Sequence, residues 1–297
     1  MALLIPWVLP WLGRGTIPLD VLWRPASETV DSLIFWEIRI PRVLLAFFAG
    51  VGLSLGGVVF QALFRNPLAT PFTLGVAGGA SLGVTLWVFL GFELVFFGVA
   101  GTSMAAWVGA LVSIAFVYGA ARASGRMSSN TMLLGGVAMS FFFSSIILLI
   151  QYLGDASNAF RILHWLMGDL SRASYDDVLR VFPFVLIGVV TTLWHVRELD
   201  LISVDDELAE IRGVEVVRVR ALLFVVISLM LAGIVTACGP IGFVGIMAPH
   251  ICRLLVGVSH RVLVVASLSF GGAFLAMCDT VARSLSESAE VPVGIVT

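Results

Sequence analysis

Long apolar runs separated by short polar breaks fill most of this sequence and limit what it can fold into. Runs such as 43–63, 131–153 and 221–237 contain no charged side chain. A transmembrane helix needs about 20 apolar residues, and only helices and closed barrels satisfy their backbone hydrogen bonds in lipid. The hydrophobic content of 59% and the mean hydropathy of +1.06 indicate the same class. The sequence therefore predicts an all-α polytopic membrane protein.

The apolar runs differ in length, so we expect full spans together with shorter helices. A short patch at 162–167 is predicted to be a re-entrant or interfacial helix, and the apolar segment 1–12 is shorter than a span. The predicted membrane runs are 43–63, 72–90, 94–121, 131–153, 178–196, 221–237, 243–256 and 262–277.

One polar stretch, Arg197–Arg220, separates two of these runs. Ser203 followed by Asp206 matches the S-x-x-[DE] capping box, which predicts that a short helix begins there. Gly213 occupies the place where a helix end favours a residue that tolerates positive φ. An apolar face at helical spacing is predicted from Val204, Leu208 and Ile211. Two interpretations stay open: a helix that docks against a partner, or a solvated connector.

The basic residues indicate the orientation in the membrane and exclude chemistry that needs lysine. All 17 are arginine, so the chain has no lysine for a Walker A loop or a Schiff base. Arginines at alternate breaks place the stretch 197–220 in the cytoplasm by the positive-inside rule. Arg39, Arg42 and Arg283 then lie on the outer side, where they either meet an acidic partner or anchor in lipid headgroups by snorkelling.

Two long motifs resemble one family. RIPRVLLAFFAGVGLSLGGVVFQALFRNPLATPFTLGVAGGASLG (39–83) and CGPIGFVGIMAPHICR (238–253) closely resemble the signatures of the FecCD-type permeases. These are the membrane subunits of binding-protein-dependent ABC importers for iron–siderophores, haem and vitamin B12. WLMGDLS (165–171) and EVPVGIVT (290–297) match in place and order.

The resemblance implies a fold and a set of partners. It implies a single permease domain over 1–297 with the family's ten-span, inverted-repeat arrangement, here with a short first span and the tenth span missing. A weak internal sequence similarity between 39–68 and 218–241 agrees with an inverted repeat. The implied assembly is a permease homodimer in the cytoplasmic membrane, two cytoplasmic ATPase subunits that hold the ATP and magnesium, and an extracytoplasmic binding protein. No nucleic acid and no cofactor bound by this chain are expected.

The resemblance also assigns roles to residues. Three groups are expected: a cytoplasmic gate, coupling helices at about 203–218 that contact the ATPase, and arginines that dock the binding protein. The gate residues are Asn66, Leu68, Ser128 and Ser129; the coupling residues are Ser203, Asp205, Asp206, Glu207, Leu208, Ile211 and Gly213; the docking residues are Arg39, Arg42 and Arg283.

Other functions find less support in the residues. None of the 4 histidines is paired with Cys, Asp or Glu at ligand spacing within one helix, so no metal site is predicted. The spans offer almost no paired polar groups for an intramembrane enzyme, so no catalytic residue is predicted. The alternative of an ATP-independent secondary carrier stays open, although such carriers place ionisable residues at mid-span. The motifs are shared by siderophore, haem and B12 permeases and do not identify the ligand.

Overall fold

The structure is a computed structural model, and it describes residues 5–12, 18, 21, 23, 29–70, 73–92, 94–96, 99–123, 129–285 and 291–297. In these ranges the chain is almost entirely helical. The helices are α1 (Ile5–Val8), α2 (Val30–Leu33), α3 (Ile40–Phe64), α4 (Val76–Phe89), α5 (Gly101–Ala123), α6 (Ser129–Leu153), α7 (Ala156–Leu166), α8 (Tyr175–Trp194), α9 (Val196–Val204), α10 (Asp206–Ile211), α11 (Val216–Cys238), α12 (Val244–Val256), α13 (His260–Leu285) and α14 (Val293–Val296). A 3₁₀ turn covers Leu9–Trp11, a π-helical segment covers Ile34–Arg39, and the two-residue strands β1 (Val95–Phe96) and β2 (Val99–Ala100) pair antiparallel.

Within the described part of the chain, 6 helical segments are long and apolar enough to cross a membrane. They are Val30–Phe64, Gly101–Ala123, Ser129–Leu153, Tyr175–Trp194, Val216–Cys238 and His260–Leu285; Val76–Phe89 and Val244–Val256 are shorter apolar helices. The predicted all-α membrane class is confirmed, and the family's ten-span arrangement stays a prediction.

Helix α3 is the centre of the bundle. It packs against α13, α8, α12 and α11, and its apolar window is 83% buried, whereas that of α6 is only 22% buried. Small residues permit this burial, because a Cβ on Gly50 would overlap the backbone oxygen of Gly271 in α13. Ser54 also donates a hydrogen bond to the carbonyl of Ser267 at 2.8 Å. In lipid, such close backbone packing is what holds helices together.

A second group of helices, α4 to α6, also packs through glycines that let the backbones approach closely. A Cβ on Gly79 would overlap the backbone oxygen of Gly109, and a Cβ on Gly109 would overlap that of Gly79. The two glycines therefore bring α4 and α5 into backbone contact. Helix α6 covers α4 on one side and leaves large apolar side chains such as Phe141 and Leu148 exposed, which suits a face that meets lipid.

Three predicted boundaries were wrong. The run 94–121 is not one helix, because 94–100 includes the two short strands before α5 begins at Gly101. Helix α11 begins at Val216, so Arg218 and Arg220 lie in a helix and not in a polar connector. The patch predicted at 162–167 belongs to a longer helix, α7, which Asp155 caps by accepting a hydrogen bond from the amide of Asn158.

Candidate functional site

The polar stretch between α8 and α11 folds into two short helices, α9 and α10. The cap of α10 is Asp205, whose Oδ1 accepts hydrogen bonds from the amides of Glu207 at 2.9 Å and Leu208 at 3.1 Å. The predicted cap at Ser203 was wrong, because Ser203 lies in the last turn of α9 and donates to the carbonyl of Asp200. Gly213 has a φ of 84° just after α10, as predicted. Such a backbone conformation favours glycine.

Helix α10 has one buried and one exposed side. Ala209 is fully buried, whereas Ile211 is 81% exposed and Leu208 is 38% exposed. Val204, just before the cap, is 66% exposed, and the exposed acid Glu207 lies beside these side chains in the sequence. Leu208 and Ile211 thus form an exposed apolar face of α10, whereas Val204, predicted on the same helix, is the last residue of α9. Exposed apolar side chains grouped among acids are typical of a surface that binds another protein.

An ion-pair network ties this surface to the end of α3. Arg65 Nη2 lies 2.7 Å from Asp206 Oδ1, and Arg65 Nη1 lies 3.6 Å from Asp205 Oδ2. Asp206 Oδ1 also accepts from Arg220 Nη2 at 2.8 Å, and this arginine is almost fully buried in α11. Asp206 is thus held between α3 and α11. Asp206 was predicted to lie in the coupling segment, but neither arginine was predicted as its partner.

The first part of the predicted gate follows Arg65, whose φ of 48° ends α3 in a left-handed conformation. Asn66 Oδ1 then accepts from the Leu68 amide at 2.9 Å, and Leu68 is 64% exposed. Ser129, at the start of α6, donates to the carbonyl of Leu63 at 2.8 Å. The two predicted parts of the gate therefore meet at one end of α3. Ser128 lies outside the described residues, and the gating role itself stays a prediction.

A cavity of about 300 Å³ lies next to this turn. It is lined by Leu53 of α3, by Thr70 and Thr73 after the turn, and by five residues before and within α12: Ile241, Gly242, Phe243, Gly245 and Ile246. The lining is apolar apart from the threonine hydroxyls and backbone groups. A cavity without charged side chains offers little to bind a charged solute tightly.

The three predicted docking arginines lie at the opposite end of α3, and all three are largely buried. Arg39 Nη1 donates to the carbonyl of Pro10 at 3.0 Å. Arg42 contacts both carboxylate oxygens of Asp279, with Nη2 at 3.0 Å from Oδ1, and Arg283 Nε lies 3.2 Å from Oδ2. The structure brings Arg42 and Arg283 together around the fully buried Asp279 and not at an exposed rim. Their docking role stays a prediction, and Asp279 is the functional candidate that sequence reasoning missed.

Two further polar contacts were also missed. Asp200 of α9 accepts from the backbone amide of His260 at 2.8 Å and lies 2.7 Å from its Nδ1. Arg253 of α12 donates to Gln61 of α3 at 2.9 Å. Both contacts join segments far apart in sequence, so no local pattern could have revealed them. Among the described residues, no group of three or more His, Cys, Asp or Glu side chains could hold a metal ion.

Comparison with known proteins adds a family and a fold. A family model described as the FecCD transport family matches residues 2–297. The chain is 37% identical to the cobalamin import system permease protein BtuC of Halobacterium salinarum, over 97% of this chain and 76% of that protein. It is 34% identical to the molybdate import system permease protein MolB of Haemophilus influenzae, over 96% of this chain and 86% of that protein. A solved structure of a proposed metal-chelate type ABC transporter in an inward-facing conformation matches with a TM-score of 0.87 and 32% identity, covering 99% of this chain and 92% of that one.

Proposed function

The chain belongs to the FecCD transport family, and from that premise we propose that it is the permease subunit of a binding-protein-dependent ABC importer. It is a multi-pass protein of the cytoplasmic membrane, and it works with an ATPase and a binding protein. We further propose that two copies of the chain line the pathway and that ATP and magnesium bind only to the ATPase subunits. The absence of lysine from the sequence supports this division, because a Walker A loop needs one.

The proposed role of α10 in coupling rests on one observation. The exposed apolar and acidic surface of α10 is joined through Asp206 to Arg65, the first residue of the turn Arg65–Leu68 after α3, here called the gate turn because it holds the predicted gate residues Asn66 and Leu68. A partner that pushes on Leu208 and Ile211 would therefore move the end of α3 with it. The Arg65–Asp206 contact gives a direct path from an ATPase bound at α10 to the gate.

The proposed substrate is a metal chelate such as an iron–siderophore, haem or a corrinoid. The similarity to a cobalamin permease and to a metal-chelate type transporter supports it. The similarity to a molybdate permease adds an oxyanion as the competing class. The uncharged cavity beside the gate favours the chelate, because a small oxyanion passing through would be stabilised by charged or hydrogen-bonding groups along its path.

The test reconstitutes the full chain with its ATPase and binding protein in liposomes. Charge reversal in Glu207→Arg combined with Ile211→Asp should weaken ATPase association by about thirtyfold or more, because buried interface anchors are worth at least about 2 kcal/mol. Uptake should fall in parallel. Arg261→Glu is the matched control, since Arg261 is an exposed charge on the same predicted side but outside the coupling segment 203–218, and it should leave both measurements unchanged.

Three results would contradict the proposal. Unchanged ATPase association in the Glu207 and Ile211 variant would remove the coupling role from α10. Uptake that continues at full rate after ATP depletion would favour a secondary carrier. Transport of molybdate in preference to cobalamin, haem and ferric siderophores would replace the proposed substrate class.

A further inference from the structure

A second cavity, of about 460 Å³, lies beside the connector but away from the exposed face of α10. No residue of α10 lines it, although Gly213, just after α10 and among the predicted coupling residues, does. One part of the lining is charged and contains Arg197, Arg212 and Glu198; the other is apolar and contains Leu201, Val219 and Leu222. A cavity with both kinds of wall suits a molecule that has a charged group and a hydrocarbon part.

The lining residues lie between the end of α8 and the first two turns of α11, which places the cavity near the predicted cytoplasmic surface of the membrane. Trp194, the last residue of α8, is 81% exposed, and tryptophan concentrates at the membrane–water boundary. His195, the next residue, lines the cavity. Val217 and Leu222, in the first two turns of α11, are also exposed apolar side chains. Phospholipid headgroups of the cytoplasmic leaflet occupy this height.

The charges lining the cavity are only partly paired. Arg218 lies 3.4 Å from Glu215, so these two compensate each other. Arg197 and Arg212 are exposed and form no ion pair within the described part of the chain. A phosphate group is the natural partner for two guanidinium groups, which donate to it in fixed planar geometry.

Glu198 is a second group in the cavity wall that a ligand could bind. Its Oε2 is buried and accepts no hydrogen bond from any described residue. A buried carboxylate oxygen without a donor is costly, so a ligand that brings an N–H or O–H donor to Glu198 would stabilise this site. The pairing of two arginines with one such carboxylate matches a molecule that carries both a phosphate and an ammonium group.

We propose that this cavity binds the headgroup of phosphatidylethanolamine from the cytoplasmic leaflet. The phosphate lies against Arg197 and Arg212, the ammonium donates to Glu198, and the acyl chains run along Val219 and Leu222 toward the bilayer. Basic pockets between spans on the cytoplasmic side are known places for lipid headgroups. The lipid would fill the space between α9 and α11, on the side away from the exposed face of α10.

The experiment measures which lipids remain bound to the full-length chain, by native mass spectrometry after exchange into mixed micelles. The probes are phosphatidylethanolamine, phosphatidylcholine and phosphatidylglycerol with identical acyl chains. Phosphatidylcholine has the same phosphate and the same charge but no N–H donor. Phosphatidylethanolamine should be retained roughly tenfold better, as expected for one hydrogen bond to a charged group.

Variants locate the site. Arg197→Gln with Arg212→Gln should lower bound phosphatidylethanolamine by about tenfold or more. Glu198→Gln should abolish the preference over phosphatidylcholine. Arg261→Gln is the control, because Arg261 is an exposed arginine on the same predicted side but does not line the cavity.

Several outcomes would overturn the proposal. Equal retention of phosphatidylethanolamine and phosphatidylcholine by the unaltered chain would remove the role of Glu198, and this comparison needs no variant to fold. A preference for phosphatidylglycerol would mean that the site selects an anion without an ammonium group. Displacement of the lipid by inorganic phosphate would identify a site for free anions. An arginine double variant that binds as much lipid as the control would place the lipid elsewhere.

Discussion

The ion pair between α3 and α13 gives the sharpest test of how this bundle is held together. Asp279 is fully buried, and its carboxylate contacts Arg42 at 3.0 Å and Arg283 at 3.2 Å. At 3.0 Å and an effective dielectric constant of about 20, one such pair is worth roughly 5 kcal/mol before the cost of desolvation. Removing one partner of a buried pair typically costs about 3–5 kcal/mol. We therefore expect Asp279→Asn, which keeps the volume and removes the charge, to destabilise the protein by about 3 kcal/mol.

The measurement is thermal unfolding of the purified full-length chain in detergent. For a chain of this size, about 3 kcal/mol corresponds to a fall in Tm of roughly 6–10 °C. The control is Asp176→Asn, since Asp176 is an exposed acid in the first turn of α8 at the same predicted end of the bundle. If both variants unfold within about 2 °C of the unaltered chain, the buried network contributes little and the reasoning is wrong.

Substitution of Arg42 in the same ion-pair network distinguishes a structural role from a docking role. If Arg42 mainly joins α3 to α13, Arg42→Gln should lower Tm by about as much as Asp279→Asn. If Arg42 docks the binding protein, the variant should keep its Tm and lose affinity for that partner, with a loss that shrinks at high salt because the interaction is screened. The burial of Arg42 leads us to expect the first result.

Three other substitutions test single features of the bundle and the connector. Gly109→Ala should cost about 1–3 kcal/mol, because the methyl would overlap the backbone of α4, whereas Gly135→Ala meets nothing within 4 Å and should be neutral or stabilising in the same Tm assay. Asp205→Ala should remove about 1 kcal/mol of local stability from α10, seen as faster amide hydrogen exchange there without a lower global Tm. Arg65→Gln should change Tm little, since Arg65 and Asp206 are each 33% exposed, but it should lower the uptake obtained per ATP hydrolysed. Equal uptake per ATP in that variant would show that the Arg65 contact does not transmit the movement.

The spans could be predicted from the sequence because hydropathy and length are local properties. Lipid allows few alternatives to a helix, so runs such as 131–153 and 243–256 became α6 and α12 with boundaries that differ little. Gly213 was predictable for a similar reason, since few residues other than glycine adopt a φ of 84° without strain. Where only one residue type meets a physical requirement, a single sequence is enough to predict the local structure.

The cap of α10 could not be predicted in the same way. Ser203 and Asp205 are both good caps, and the sequence 203–207 contains several acids that can fill a first turn. The decision depends on where α9 stops, and α9 continues through Val204 because Leu199 and Ile202 bury their side chains fully against the bundle. Tertiary packing thus fixed the boundary, and Ser203 became the last turn of one helix and not the cap of the next.

The buried acid Asp279 was missed for a related reason. Its spacing of four residues from Arg283 is visible in the sequence, and such a pair alone indicates only a helical contact. Arg42 lies 237 residues away, and its approach depends on the glycine contact between α3 and α13 that aligns the two helices. The three arginines were therefore recognisable from the sequence, but the acid that pairs with Arg42 and Arg283 was not.

The two ends of α3 are held very differently, and this difference bears on how the bundle could move. At the outer end the Arg42–Asp279 pair is almost inaccessible to water, so separating α3 from α13 there would expose a buried charge. At the other end Arg65 is held by half-exposed acids of the connector, and exposed pairs are worth only about 0–1 kcal/mol. A force applied at α10 therefore meets its weakest resistance at the gate turn, while the outer end of α3 acts as the fixed point. This asymmetry is the reason that we expect Asp279→Asn to change stability and Arg65→Gln to change coupling.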